Sequence, residues 1–428
     1  MINRKIAPAI KQPVEFNIEL PDCECYTLDN GVLLYYINAG AEDTLMVNWV
    51  FSAGNWFEEK RNVAIAANQL IKNGTHQHSA YEINDHFDYY GAYFNRNCYS
   101  ETAEITLHCL GKHVTNLLPM VAELIQDASY SEEELQIYKQ NAQQRLTVNL
   151  LKPDFVAGRE IDAMLFGEEH PYGKYSKHED YQSLLREDLI AFHQQHYKEG
   201  KVVLFAVGKL PEGFLPLMND LFGKFKWKPY TSTIIEPVHI IRPSAEKKKT
   251  IIVDEKGVQA SIRIARPYIG KSDPHYHELV ILNAVYGGYF GSRLMANIRE
   301  EKGYTYGIYS GILNYIKHSG WIVSTEAGID VKDDTIKEIY YEMDILRDEL
   351  IDEEELLNCK NYMMGAVLGD LDGPFQVIAR WKSLIVQGFD KSFFDKAINV
   401  IKEVDAPELR KLAQQYLKPD EFYELTVI

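Results

Sequence analysis

The chain of 428 residues has little cysteine, and none of its five cysteines (Cys23, Cys25, Cys98, Cys109 and Cys359) stands in a C-x-x-C arrangement. An odd, scattered set gives no disulfide framework, and Cys23 and Cys25 have no second thiol pair nearby to complete a metal site. Long apolar runs are missing too. The longest resemble Val202 to Val207, far below the roughly 18 residues of a membrane-spanning helix, so no membrane partner is expected. At the N-terminus the apolar patch Ile6 to Ile10 is broken by Pro8, which is too little for a signal-peptide core. The reading is a soluble protein of the cytoplasm. Excess positive charge is the third absence: 45 Lys and Arg face 62 Asp and Glu, a net of −17. Such a chain repels a phosphate backbone, which argues against nucleic acid as a partner.

What is present is the composition of a globular protein, 46% hydrophobic, 12% aromatic and 25% charged. The length suits two or more domains. Periodic patterning lapses through Lys228-Pro229-Tyr230, Glu236-Pro237, Arg242-Pro243 and the charge run Glu246 to Lys249. This reads as a linker over 229–249 between domains at 1–228 and 250–428.

The two halves end alike. Asp188-Leu189, Phe192, Gln194-Gln195 and Lys198 are followed by a strand through Phe205 and Val207. Glu408-Leu409, Leu412, Gln414-Gln415 and Lys418 are followed by a strand through Leu425 and Val427, at a constant offset of 220 residues. Duplication is the economical explanation. The halves also open alike, with strands and then a helix. In the first, strands at Val32 to Tyr36 and Leu45 to Phe51 precede a helix from Asn62 to Lys72, closed by Asn73-Gly74. In the second, a strand at Ser261 to Ala265 precedes a helix from Tyr276 to Tyr286, closed by Gly287-Gly288. The fold class expected is α+β: two homologous domains, each an antiparallel sheet with helices packed on one face.

Two stretches carry a family resemblance. Ala53-Gly54-Asn55-Trp56-Phe57-Glu58, followed by Asn62 through Gly74-Thr75, resembles the active-site stretch of the pitrilysin-type (insulinase-like, inverted-zincin) peptidases. There the helix carries H-x-x-E-H. Two histidines one helical turn apart offer nitrogens to one zinc, the Glu serves as general base to the zinc-bound water, and a distant Glu completes the coordination. Here those positions fall on Ile65, Asn68 and Gln69. Ile65 has no lone pair, Asn68 takes no proton from water near neutral pH, and a Gln69 amide is a poor ligand beside imidazole. The window for the distant Glu falls on Gln144 to Leu146, and no carboxylate occurs from Lys139 to Pro153. The pairs His193/His196, His76/His78 and His275/His277 each lack a third ligand at recognisable spacing, so surface or capping roles are expected.

The second stretch is Gly287-Gly288-Tyr289-Phe290-Gly291-Ser292-Arg293-Leu294 with Asn297-Ile298-Arg299-Glu300-Glu301-Lys302-Gly303-Tyr304-Thr305-Tyr306. It is similar to the family's C-terminal-domain signature. Ser292 is expected to cap a helix that ends at Gly303, with a strand through Tyr304, Tyr306 and Ile308, placing Arg299 beside Tyr306. The resemblance implies that this Arg holds a peptide carbonyl while the Tyr phenol assists the oxyanion. Asn95, in Gly91 to Asn95, would contact substrate backbone from an edge strand.

The resemblance spans about Glu19 to Ile428 and implies half of a clamshell. Its two-chain members divide the work: one chain carries H-x-x-E-H and the other the Arg/Tyr pair, closing around an unfolded peptide. The expected function is therefore a non-catalytic, substrate-binding or regulatory subunit of a heterodimeric zinc endopeptidase. It would hold no metal or other cofactor of its own, with zinc on the sister subunit. The alternatives are a scaffold subunit like respiratory-complex core proteins, or a peptide-binding homodimer without hydrolase activity.

Overall fold

The computed structural model describes residues 11–233 and 235–428. They divide into two units, each with its own sheet. One unit comprises 22–245 with 373–382. The other comprises 11–21, 246–372 and 383–428. The proline-bearing stretch after Trp227 has almost no regular structure, but it is bonded into the first unit. The Arg242 and Ser244 amides donate to the Phe166 and Met164 carbonyls, and His239 Nε2 lies 2.8 Å from the Trp56 carbonyl.

The first unit's strands are β1 (Glu24–Thr27), β2 (Leu33–Asn38), β3 (Thr44–Phe51), β4 (Tyr93–Cys98), β5 (Ala103–Leu110), β6 (Lys201–Gly208) and the two-residue β7 (Lys228–Pro229). Their order is β1-β2-β6-β3-β5-β4, with β7 beside β6. Nearly every residue of β6 is buried, as a central strand of Val, Leu, Phe and Ala requires. Helices at Val114–Asp127 and Phe214–Phe222 help fill the core against Trp49 and Phe51.

The other unit has β8 (Lys248–Ile251), β9 (Gln259–Tyr268), β10 (Thr305–Asn314), β11 (Ser319–Gly328) and β12 (Tyr423–Val427), in the order β10-β11-β9-β12-β8. The two orders are one topology. β12 lies between β8, to which it is parallel, and β9, to which it is antiparallel; β6 stands in the same way between β2 and β3. Beyond β3 come β5 and then β4 at the edge, as beyond β9 come β11 and then β10 at the edge. The matched chain ends thus mark two copies of one fold.

The α+β class holds, but the sheets are mixed rather than purely antiparallel. β6 and β12 each return through helices and enter parallel to β2 and β8, which no hairpin connection can do. The helix expected over Asn62 to Lys72 is shorter, Val63–Leu70, with Asn62 left-handed at φ 69° just before it. The helix from Tyr276 regularly spans Tyr276–Asn283 and continues as a π-helix through Ala284–Gly288. Among the described residues, no helix is long and apolar enough to cross a membrane.

Candidate functional sites

The helix Val63–Leu70 begins where Glu58 meets it. Glu58 Oε2 accepts a hydrogen bond from the Ala64 amide at 3.1 Å, and its Oε1 lies 2.8 Å from Lys174 Nζ. A carboxylate at a helix N-terminus satisfies a free amide and opposes the helix dipole. The acidic flank of the motif therefore does structural work, a role the sequence reading did not assign.

Of the three degenerate positions, Ile65 and Gln69 line an open groove, whereas Asn68 is fully buried. The Asn68 amide donates to the Tyr197 hydroxyl at 3.1 Å and to the Glu104 carbonyl at 3.4 Å. Gln69 is held through its backbone, whose carbonyl accepts from Arg96 Nη1 at 2.8 Å. The distant window lies on the helix Glu132–Asn149, and Arg145 from it lines the same groove as Ile65 and Gln69. The residues do not fit a zinc ion: one position is an alkyl chain, one a buried amide already bonded to protein, and a guanidinium stands where the distal carboxylate is needed. Among the described residues, no three His, Cys, Asp or Glu side chains gather as a metal-binding group.

The histidine pairs have other employment, and His193, His196 and His277 correct the surface or capping expectation, whereas His275 is exposed at the N-cap of its helix. His193 and His196 are buried, because the helix Arg186–His193 passes into a π-helix, Gln194–Lys198, that turns both rings inward. His193 lies edge-on to Tyr130 at 5.2 Å and stacks on Tyr197 at 5.6 Å. His277 is buried against Phe393 at 4.4 Å. His76 and His78 remain outside, paired with Asp127 and Glu123 at 2.8 Å each. The Glu123 partner raises the pKa of His78.

In the other unit the signature builds a platform. Gly287 is required because a Cβ there would come within 2.7 Å of Ser310 Cβ and 2.9 Å of its amide nitrogen. Arg293 grips Glu355 through two bonds, Nε to Oε1 at 2.8 Å and Nη2 to Oε2 at 2.9 Å. Asn297 donates to Glu338 and Glu342 at 3.0 and 2.7 Å. The Ser292 cap does not form as expected. Its hydroxyl is buried without a partner, and its carbonyl accepts from the Ala296 amide instead.

Arg299 lies in the π-helix Met295–Glu301, which ends before Gly303 at φ +69°. Its guanidinium carbon sits 4.6 Å from the Phe290 ring centre and 5.8 Å from that of Tyr306. Its nearest carboxylate contact is a long one, 4.0 Å to Glu300. Tyr306 is 94% exposed and Phe290 59%. The expected neighbourhood of Arg299 and Tyr306 is thus present, with Phe290 as a third member that the sequence offered without a role. The strand register breaks between Thr305 and Ile308, and this bulge carries Tyr306. Asn95 lies on β4, at the end of its sheet, with its Oδ1 accepting from the Arg96 amide at 2.9 Å.

Residues 183–363 match the family described as the peptidase M16 inactive domain. The chain is similar to the uncharacterized zinc protease YmxG of Bacillus subtilis, 23% identical over 407 residues, covering 94% of this chain and 97% of that one. It is also similar to a probable mitochondrial-processing peptidase subunit beta of Schizosaccharomyces pombe, 22% identical and covering 63% and 60% of the two chains. Among solved structures, a peptidase M16 inactive domain from Pseudomonas fluorescens superposes with a TM-score of 0.83 at 20% identity, over 95% of this chain and 98% of that one. A Helicobacter pylori protease gives 0.84 at 15% identity, over 95% and 99%. The duplicated fold, shared with these solved structures, and the M16 inactive-domain match make the chain similar to the pitrilysin-type, M16 peptidases, and the match is to their inactive domain.

Proposed function

We propose that the chain is the substrate-binding, regulatory subunit of a two-chain zinc endopeptidase, holding an unfolded peptide against a sister chain that carries H-x-x-E-H. No cofactor is assigned to this chain; the zinc belongs to the partner. Arg299 and Tyr306 serve the partner's site, the guanidinium on a peptide carbonyl and the phenol on the oxyanion that develops during attack. Asn95, on the edge strand β4, pairs with substrate backbone.

The observation that carries this reading is the exposure of Tyr306. An aromatic side chain 94% exposed contributes almost nothing to a core, yet it stands beside an arginine that has no close carboxylate. A surface role for Arg299 in an ion pair with Glu300 or Glu301 would bring the charges closer than 4.0 Å. That one relative is named as a peptidase subunit agrees with a division of labour between chains.

The test is co-purification from the native source, followed by a peptidase assay on the separated and recombined chains. Recovery of an H-x-x-E-H sister chain that becomes active, or markedly more active, on mixing supports the reading. A sister chain fully active alone and unchanged by addition overturns it. Recovery in a large assembly without peptidase activity points to the scaffold role, and self-association with no partner to the homodimer.

A further inference from the structure

The groove beside the degenerate helix is lined by several cationic side chains. Three adjoining cavities of about 620, 420 and 260 Å³ run along it. The largest and the middle one share Gln69, Tyr138, Arg145 and Asn149; the middle and the smallest share Ile65, Tyr175 and Ser176. All lie within one unit.

Its charged groups sort by what they already hold. Glu58 is taken by Lys174 and the Ala64 amide, and Glu134 accepts from Asn73 at 2.7 Å. Arg61 pairs with Glu169 at 3.0 Å. Three guanidinium groups remain. Arg96 bonds the Gln69 carbonyl and no carboxylate, and burial lowers its pKa. Arg159 lies over the Tyr175 ring at 3.8 Å with its Nε buried and unpartnered. Arg145, exposed at the centre of the groove, has no ion pair among the described residues. Three arginines without a carboxylate partner among the described residues thus line one groove of a chain whose net charge is −17. Guanidinium forks match carboxylates through paired N–H donors. Between them lie amides (Asn73, Asn141, Gln144) suited to peptide backbone, and the partly exposed Ile137 and Val148 suited to apolar side chains.

We propose that this groove binds acidic peptide segments, with Arg145 and Arg159 receiving a peptide carboxylate where catalytic relatives would hold zinc. The assignment rests on the peptide-binding reading above and adds the charge of the peptide.

The test uses the purified full chain and three labelled decapeptides of Leu with Glu, Gln or Lys at fixed positions, followed by fluorescence anisotropy. The Glu peptide is expected to bind roughly tenfold tighter than the Gln peptide, and the Lys peptide weakest. Arg145→Gln and Arg159→Gln should each weaken the Glu peptide roughly fivefold to tenfold and leave the Gln peptide unchanged. Arg145 is exposed, so its variant should fold; thermal unfolding checks this, and Arg145→Lys should restore part of the preference. Equal binding of Glu and Gln peptides, or an unchanged preference in folded Arg145→Gln, overturns the acidic-peptide assignment while leaving peptide binding intact. Failure of all three peptides to bind overturns the peptide-binding reading itself, and the assignment with it. Full displacement of the Glu peptide by millimolar inorganic phosphate shows a simple anion site and overturns the peptide part.

Discussion

The guanidinium carbon of Arg299 lies 5.8 Å from the ring centre of Tyr306, although seven residues and a change from π-helix to strand separate them. In the complex with a catalytic sister chain, Tyr306→Phe removes one hydrogen-bond donor and almost no volume. Assembly should survive while kcat falls roughly 10²-fold, the scale of a lost oxyanion donor. Arg299→Ala should chiefly raise KM, because a contact to a ground-state carbonyl is felt before and during reaction alike. Steady-state kinetics on well-assembled complexes decides; full activity in both variants makes the pair structural.

The degenerate helix should not be repairable by its three side chains alone. Ile65→His, Asn68→Glu and Gln69→His together supply two imidazoles but leave Arg145 on the same groove, one ligand short of a catalytic site. Asn68 is also sealed against Tyr197 and the Glu104 carbonyl. A carboxylate there is buried without a cation, at a cost of about 3 kcal/mol or more. Zinc titration of the triple variant should show no tight stoichiometric binding, peptide hydrolysis should stay at background, and the urea midpoint should fall. A tight zinc accompanied by chelator-sensitive hydrolysis would contradict this.

Arg293 and Glu355 predict a stability effect in the other unit. The two parallel bonds fix the start of the signature helix to the helix Glu353–Gly369. Arg293→Ala leaves Glu355 without its cation and should destabilise that unit by about 2 kcal/mol. Urea unfolding followed by tryptophan fluorescence reads this out through Trp321, which is buried in the same unit. An unchanged midpoint would mean that Glu355 is fully hydrated in solution.

How much of this was legible in the sequence depends on the distance over which each feature is encoded. The 220-residue offset between Leu189 and Leu409 survives as two equivalent helices feeding β6 and β12, since a helix–strand register is written in adjacent residues. The parallel partners β2 and β8 are written far from β6 and β12, so local patterning could not supply them. At the site, Arg299 and Tyr306 were legible because a glycine and a tight turn join them. Glu58 was visible as a flank, but its bond to the Ala64 amide was not. The direction of the His193 and His196 rings depended on a π-helix that no periodicity announces. Arg145 did carry a signal: a cation occupies the window where a metal ligand was expected.

His193 and His196 make the stability of their unit depend on pH. Burial holds His193 down to about 3 and His196 to about 4, from an ordinary 6.5. Lys198 depresses His193 further, while Asp127 and the backbone at Ile125 oppose the shift; at His196 the opposing contact is the Ser52 carbonyl, 3.0 Å from Nδ1. Below pH 6.5 the unfolded chain takes up protons that the folded chain refuses, so stability rises with pH across this range. The contribution is fully present above pH 6.5 and is lost as pH falls towards 4 for His196 and towards 3 for His193. At about 1.4 kcal/mol per pKa unit, the pair accounts for several kcal/mol, to order of magnitude. His277, held at about 4 in the other unit, adds a slope of the same sign there. Urea midpoints should therefore be level from pH 8 to 7 and fall steeply from pH 6.5 to 4.5. His193→Phe keeps an aromatic ring beside Tyr130 and Tyr197 but cannot titrate, so its acid slope should be shallower than that of the wild type. Identical slopes in the two proteins would show that folding leaves the pKa of His193 unshifted.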